Sequence, residues 1–539
     1  MTKAAGPVAF LRPAALALLA GLAAALAHPP FEILPGLLGY ALMLWLIDGA
    51  DPRRPLRSAF WRGWLVGVGY FGLGVWWVAE AFFVDAETFG WMAPFAVVFL
   101  AGGLALFWGL TGLVYRAVRA SGMARVIVFA GIFGLFEWLR GHVLTGFPWN
   151  LPGETWKAGS APSQFAAVAG AYGLTWITVA IAAAPATLLD KTARNRRLIP
   201  TAVALVALAG LYGYGASRLP PPSTAEGLRI RIVQPNVDQA AKYDEAFFHE
   251  IVGRYAALTA QASAGPRPDV VIWPEGAIPA VYLDELLSPD GWPGQAIEAA
   301  LAPGQILIGG GPRRRPTGEP LGDEVFNSLF VARRGPEGLS VEAYYDKHHL
   351  VPFGEFVPQE DLLGRLGITK LVPMPGSFSA GPPPAPLQVP GAPPFQPLIC
   401  YESLFPGLVS SSPGPRASWI VNISNDSWFG QTSGPWQLLN LASYRSIEEG
   451  LPMVRATPTG VSAVIDAYGR VCCAPKLGLG ANGVIDAVLP APAPPSLYKT
   501  YGDAVFWALA TFSMLFSLRY FVRAREYWMT RSPNGVIEP

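Results

Sequence analysis

Charge is scarce in this sequence. Asp, Glu, Lys and Arg make up 14% of its 539 residues, against 52% hydrophobic residues, whereas soluble chains carry about a quarter charged. A chain of this length with so few charges cannot coat itself for water, so part of it is expected to lie in lipid. The formal net charge of +1 gives no electrostatic basis for a nucleic-acid partner. Cysteine is scarcer still: Cys400, Cys472 and Cys473 are the three present. An odd number with two adjacent is not a disulfide framework. A bridge between neighbours 472 and 473 is a strained ring, and none is expected there. Cys400 then stands alone, which suits a reactive thiol or a buried small hydrophobe. His348 and His349 are adjacent and lack a third ligand at metal spacing, so no metal site is read and no cofactor is called for.

Long apolar runs are missing from residues 226–490 and dense elsewhere. Runs of roughly 17–25 residues can cross a bilayer. Spans are expected near 10–27, 33–48, 60–80, 92–115, 123–140, 163–188 and 198–215, with one more near 502–521. The second is short for a crossing. The first, with Lys3 before it and Ala25-Leu26-Ala27 at its end, also resembles a signal peptide. Its length and the spans that follow closely favour retention. Basic residues mark the cytoplasmic side. They cluster at Arg53, Arg54, Arg57 and Arg62, at Arg116, Arg119 and Arg125, at Lys191, Arg194, Arg196 and Arg197, and at Arg519, Arg523, Arg525 and Arg531. The third connection carries Asp85 and Glu87 instead. All basic clusters share one side only if seven spans precede the large segment and one follows. Three parts are therefore expected: a helical membrane domain at 1–217, an outward-facing domain at 226–490, and a last span with a cytoplasmic tail at 498–539.

The outward segment reads as α/β. Short β-branched runs bounded by Gly, Pro, Asn or Asp predict strands at 228–233, 269–273, 305–309, 326–332, 341–345, 396–399, 419–423, 453–456, 461–465 and 483–487. Apolar residues at three- and four-residue steps predict helices at 245–264 and 436–449.

Three residues then share one kind of setting. Glu275 ends Val-Val-Ile-Trp-Pro-Glu, Lys347 ends Ala-Tyr-Tyr-Asp-Lys, and Cys400 ends Pro-Leu-Ile-Cys. Each follows an apolar strand, where a sheet edge can aim side chains into one pocket. Singly, each has an ordinary reading: a helix N-terminal neighbour, a solvated lysine, a buried cysteine. Together they suit nucleophilic acyl transfer. The carboxylate takes the thiol proton, the thiolate attacks a carbonyl, and the ammonium steadies the oxyanion with a backbone N–H just after the cysteine, that of Tyr401.

The Glu–Lys–Cys order with these flanking words resembles the nitrilase superfamily. Further words narrow the resemblance to its membrane-bound branch, the apolipoprotein N-acyltransferases. They are Glu137-Trp-Leu-Arg-Gly141, Gly146-Phe-Pro-Trp149, Trp273-Pro-Glu275, Tyr345-Asp-Lys-His-His-Leu-Val-Pro-Phe-Gly-Glu355, Cys400-Tyr-Glu402, Asn422-Ile-Ser-Asn-Asp-Ser-Trp-Phe-Gly430 and Gly434-Pro-Trp-Gln437. They run in order along most of the chain. The resemblance implies a polytopic helical membrane domain joined to an αββα sandwich. It implies Cys400 as nucleophile, Glu275 as general base and Lys347 as oxyanion-stabilising cation. Glu355 is similar to a second glutamate that orients the lysine, Tyr401 and Glu402 flank the thiol, and Trp428 resembles a tryptophan near the substrate entrance. Tyr243 stands after Lys242 where some relatives have Trp, so an aromatic is retained there.

The implied reaction moves an acyl chain from a phospholipid, phosphatidylethanolamine in the family, to the N-terminal amine of a diacylglyceryl-cysteine apolipoprotein. The implied place is the bacterial inner membrane with a periplasmic catalytic domain, and the enzyme is expected to be a monomer. Substrate-binding residues are expected at Tyr243, Trp428, Trp149, Glu137 and Arg140. Glu137 and Arg140 have two open readings: a mutual helix-face pair that snorkels to the interface, or contact with lipid headgroups or the outer domain. Residues 361–372 are apolar with Arg365 and Lys370 and read as a core helix or, preferably, an arm that touches the bilayer. Two rival functions use other logic: a membrane-tethered amidase with water as second nucleophile, and a non-enzymatic polytopic scaffold.

Overall fold

The computed structural model describes residues 7–118, 120–221, 227–243, 245–278, 281–316, 323–359, 377–411 and 414–529, with the backbone alone at 7–11, 243, 245 and 519–529. The chain forms two compact units. One gathers the chain through Trp76, Pro94–Arg218 and the part from Tyr501 onward; the other joins Trp77–Ala93 to Leu219–Thr500.

The first unit is helical. Each apolar run becomes a helix: Pro7–Leu26, Leu38–Asp48, Pro55–Gly74, Ala93–Val118, Met123–His142, Ala166–Ala183, Arg194–Arg218 and Ala504–Met529. Small residues let the backbones touch. A Cβ on Gly21 would sit 1.9 Å from the Val66 carbonyl oxygen, and one on Gly69 would sit 2.3 Å from that of Leu18. Among the described residues, three stretches, Ala86–Val118, Pro162–Leu189 and Arg194–Arg218, are long and apolar enough alone to cross a membrane. A fourth qualifies if Pro55–Gly74 and Trp76–Phe83, bent by 47°, count as one. Two of the other runs depart from a plain crossing in length or charge. Leu38–Asp48 has 11 residues, and Met123–His142 carries Arg125, Glu137 and Arg140.

The second unit is a two-sheet sandwich. Strands are β1 (Arg229–Gln234), β2 (Val270–Ile272), β3 (Ile306–Arg315), β4 (Glu324–Gly335), β5 (Gly338–Asp346), β6 (Phe395–Ile399), β7 (Trp419–Ile423), β8 (Met453–Ala456), β9 (Ala463–Ile465) and β10 (Gly483–Val488). One sheet has the order β10-β1-β2-β3-β4-β5 and the other β6-β7-β8-β9. β1, β2 and β3 run parallel, as do β6, β7 and β8. Strand alternation sorts the side chains. Ile230, Ile232, Ile272, Ile308 and Leu329 pack against Phe395, Ile399, Val421 and Val454 between the sheets. Val233, Val271, Trp273 and Leu307 face outward onto Ile251, Tyr255 and Ile297, carried by helices Phe248–Ala260 and Trp292–Ala300. Leu398, Ile420 and Met453 face outward onto Leu439 and Ala442 of helix Gly434–Glu449. The layers are therefore helix, sheet, sheet, helix.

The expectation for the cysteine pair is corrected. Cys472 and Cys473 are joined by a disulfide. Neighbours on a regular strand point to opposite faces, but Cys473 takes a φ of 70°, which leaves strand geometry and turns the two side chains together.

Candidate active site

The ends of β2, β5 and β6 supply the expected trio, and the sheet register explains how. Beyond Ile272 the chain keeps company with β3: Trp273 N–H donates to the Ile308 carbonyl at 2.8 Å and Ala277 N–H to that of Gly310 at 3.1 Å. Gly310 permits this approach, because a Cβ there would lie 2.9 Å from the Glu275 Cα. Across β3, Pro312 pairs with Asn327, and Ser328 pairs in turn with Asp346 of β5. Lys347 N–H then donates to the Asn327 carbonyl at 2.8 Å. The register thus sets Asn327 and Lys347 side by side, next to Glu275.

These groups form a closed polar knot. Lys347 Nζ donates to Glu355 Oε1 at 2.9 Å and to Glu275 Oε1 at 3.3 Å. Asn327 Nδ2 donates to the same two oxygens, at 2.6 and 2.7 Å. The other oxygens are also used: Glu275 Oε2 accepts from Asn425 N–H and Glu355 Oε2 from Val351 N–H, both at 2.8 Å. All four side chains are buried. Burial works to depress the Lys347 pKa, but the charges of Glu275 and Glu355, then Cys400, hold it above the usual lysine range. The ammonium is therefore permanent at neutral pH.

Cys400 sits on a sharp turn from β6 into the 3-10 turn Cys400–Leu404. Its φ of 49° is left-handed, which costs a non-glycine residue about 1–2 kcal/mol. The surroundings enforce it. Glu402 Oε2 accepts from Ile399 N–H at 2.8 Å, Ser403 Oγ donates to the Cys400 carbonyl at 2.8 Å, and Arg445 Nη1 donates to the Leu404 carbonyl at 3.0 Å. Burial pushes the Cys400 thiol up to about 12; Glu275 and Asp426 add to the shift, while Lys347 and a hydrogen bond with Ser424 oppose it. The thiol lies in the fields of both expected partners. A thiol in this state is protonated at neutral pH, and to act as a nucleophile it would need a base.

Glu402 links this turn to the lysine. Its Oε1 accepts from the Tyr345 hydroxyl at 2.6 Å, His348 N–H at 2.9 Å and His349 N–H at 3.2 Å. Burial raises its pKa, and the hydrogen bonds from Tyr345, Ile399 and His349 and the charge of Lys347 oppose the rise. The Tyr401 ring lies 5.1 Å from Phe405 and 5.8 Å from His349. Trp428 is half-buried on the turn Asp426–Phe429 that follows β7. That turn is braced by Arg455, whose Nη2 donates to both Asp426 oxygens at 2.8 and 2.9 Å, while Ser424 Oγ donates to Asp426 Oδ1 at 2.7 Å. Tyr243 ends the turn Ala241–Tyr243, and its side chain lies outside the described residues, as do residues 361–372.

Glu137, Arg140 and Trp149 belong to the helical unit. Arg140 and Glu137 pair at 2.5 Å with both side chains fully buried, and Trp108 Nε1 donates to Glu137 Oε1 at 2.9 Å. Arg140 Nη1 donates to the carbonyls of Phe147 and Trp149, so the pair clasps the Gly146-Phe-Pro-Trp149 loop, where Trp149 stacks on Phe147.

Sequence reasoning missed Asn327, the amide that bridges two carboxylates. Its one signal was a pair of polar residues, Asn327-Ser328, inside an otherwise apolar strand. It also gave no role to Asn425 or Arg455, although Asn425 lies within a motif it singled out.

Comparison with known proteins places these features. Residues 20–184 match the model of the apolipoprotein N-acyltransferase N-terminal domain, and 229–491 match the carbon-nitrogen hydrolase model. The chain is 56% identical over 506 residues to the apolipoprotein N-acyltransferase of Caulobacter vibrioides, covering 94% of each chain. It is 40% identical over 509 residues to that of Allorhizobium ampelinum, covering 92% of this chain and 94% of the relative. Among solved structures, an amidase from Nesterenkonia sp. matches at 19% identity with a TM-score of 0.35, covering 53% of this chain and 97% of the amidase.

Proposed function

The chain belongs to the apolipoprotein N-acyltransferase family, and on that premise we propose that it moves a fatty acyl chain from a phospholipid, through a thioester on Cys400, to the N-terminal amine of a diacylglyceryl-cysteine apolipoprotein. The observation that carries the reading is the shared carboxylate–ammonium knot, with Lys347 Nζ 3.3 Å from Glu275 and 2.9 Å from Glu355, acting on a buried thiol at the adjoining turn.

The reaction is ping-pong. Glu275 takes the Cys400 proton as sulfur attacks the ester carbonyl carbon. Lys347 and the Tyr401 N–H stabilise the oxyanion. The C–O bond breaks, and the lysophospholipid oxygen leaves with the proton held by Glu275. In the second half the neutral α-amine attacks the thioester carbon and gives a proton to Glu275. The C–S bond breaks, and that proton returns to sulfur. Glu355 and Asn327 keep Lys347 aimed, and Glu402 holds the nucleophile turn against the lysine segment. Phosphatidylethanolamine is the proposed donor. A lipid substrate needs a site at the bilayer, because each CH₂ withdrawn into water costs about 0.8 kcal/mol.

The protein sits in the inner membrane with both termini cytoplasmic and the catalytic unit periplasmic. Two observations support this. The basic clusters share one side under that topology. Residues 77–93, which hold the third connection and the end of the third expected span, belong to the catalytic unit: Trp77 Nε1 donates to Gln437 Oε1 at 3.0 Å and its ring lies 4.6 Å from Phe429.

The test is a two-substrate assay with the purified full-length protein in vesicles. Acyl-labelled phosphatidylethanolamine and a diacylglyceryl-cysteine peptide should yield an N-acylated peptide by mass spectrometry. Hydrolysis of a soluble amide without transfer from the phospholipid would favour the amidase reading and overturn this one.

A further inference from the structure

A second buried lysine adjoins the proposed base. Lys242 lies in the turn Ala241–Tyr243 after β1 and is 3% exposed. Its Nζ donates to Asn425 Oδ1 at 3.2 Å. Asn425 Nδ2 donates to Gln239 Oε1 at 3.0 Å, and Asn425 N–H donates to Glu275 Oε2 at 2.8 Å. One asparagine is thus gripped at both ends of its amide by residues 239 and 242, while its backbone holds one oxygen of Glu275.

The bonding around Glu275 is divided. Oε1 takes Lys347 and Asn327, the groups beside the nucleophile. Oε2 takes only Asn425 among the described residues. Nothing that binds Oε2 directly is charged, so a cation behind Asn425 supplies the electrostatic counterpart on that side. Burying an ammonium whose bonded partner is neutral is costly. The Glu275 carboxylate is one of the two negative charges that offset this cost.

We propose that Lys242 is a positioning residue for acyl transfer: through Asn425 it fixes the N–H that binds Glu275 Oε2. This rests on the reading of Glu275 as the proton acceptor. The charged groups facing Lys242 are Glu275, from the turn after β2, and Asp238 on its own segment. Around Glu275 stand Lys347, Glu355 and Cys400. Burial lowers the Lys242 pKa to about 8, against the pull of Glu275 and Asp238. The cation is present at neutral pH and is lost as pH rises through that value.

The experiment measures single-turnover thioester formation from labelled phosphatidylethanolamine against pH. It uses the full-length enzyme and the variants Lys242→Met, Lys242→Arg and Glu275→Gln, with thermal melts of each. Lys242→Met should slow acylation about 10–100-fold, the scale of a misplaced catalytic group, and show no further loss of rate above about pH 8. The parent enzyme should lose rate above about pH 8, and Lys242→Arg should remove that loss, since arginine keeps its charge. Should Lys242→Met fail to fold, the Lys242→Arg profile decides, and an alkaline loss that persists there overturns the proposal. A folded Lys242→Met with the parent rate and profile, beside an inactive Glu275→Gln, overturns it while leaving the acyl-transfer reading intact. An active Glu275→Gln instead removes the reading on which it rests.

Discussion

The Tyr345 hydroxyl donates a 2.6 Å hydrogen bond to Glu402 Oε1, and through that bond the last turn of β5 is tied to the turn that carries the cysteine. Because Lys347 follows Tyr345 by two residues and Cys400 precedes Glu402 by two, this one contact sets the spacing between the ammonium and the thiol. The same carboxylate also accepts from His348 and His349 on one side and Ile399 on the other. Hydrogen bonds to a buried charge are worth about 1.5–3 kcal/mol, and four of them converge here.

Replacing Glu402 should therefore loosen the site without removing any reacting group. Glu402→Gln keeps the size but loses charge and sets an NH₂ against donors. Thioester formation is expected to fall about 10–100-fold, in line with 1.5–3 kcal/mol, with a lower melting temperature. A rate within twofold of the parent would show that the clasp does not position the thiol.

Lys347 neutralises two carboxylates at once. Removing one partner of a buried ion pair costs about 3–5 kcal/mol, so Lys347→Met should be strongly destabilised as well as inactive. Lys347→Met combined with Glu355→Gln should regain part of the lost stability while staying inactive, because one uncompensated charge is gone. Equal melting temperatures for the single and double variants would contradict the shared-ammonium arrangement.

The Cys400 thiol, pushed up to about 12 by burial and neighbouring carboxylates, should be a poor nucleophile toward reagents that bring no base-dependent chemistry. Once any acyl group has been removed, its alkylation by iodoacetamide should be slow at neutral pH. It should keep rising through the alkaline range, because the thiolate fraction grows tenfold per pH unit below the pKa. A rate that levels off near pH 8–9, about where a free cysteine does, would contradict the buried, protonated resting state.

In the helical unit, Arg140→Met would leave Glu137 buried without a cation and release the carbonyls of Phe147 and Trp149. The expected loss is about 3–5 kcal/mol of stability, read as a lower melting temperature in detergent. Arg140→Met/Glu137→Leu should recover much of it.

What was legible in the sequence followed from local patterning. Strands such as β1 and β7 announce themselves as short β-branched runs, and the ends of β2, β5 and β6 pointed to Glu275, Lys347 and Cys400 as edge residues. What was hidden depends on pairing between distant segments. β3 continues through Gly310, Gly311 and Pro312, past the strand expected at 305–309, because β4 pairs with them in register. Asn327 became visible only through that register. Trp292–Ala300 is a nine-residue helix too brief to show a periodic face. The Cys472–Cys473 bond depends on one left-handed residue, which no pattern of residue types reveals.

The claim on which the rest depends is that Cys400 itself carries the acyl chain. Full-length protein incubated with labelled phosphatidylethanolamine should gain one acyl group by intact mass, located on the peptide containing Cys400. Neutral hydroxylamine should release it, as expected of a thioester, and Cys400→Ser should carry no hydroxylamine-labile label. Full transfer to the acceptor peptide by Cys400→Ala, or a label found elsewhere on the chain, would contradict the account.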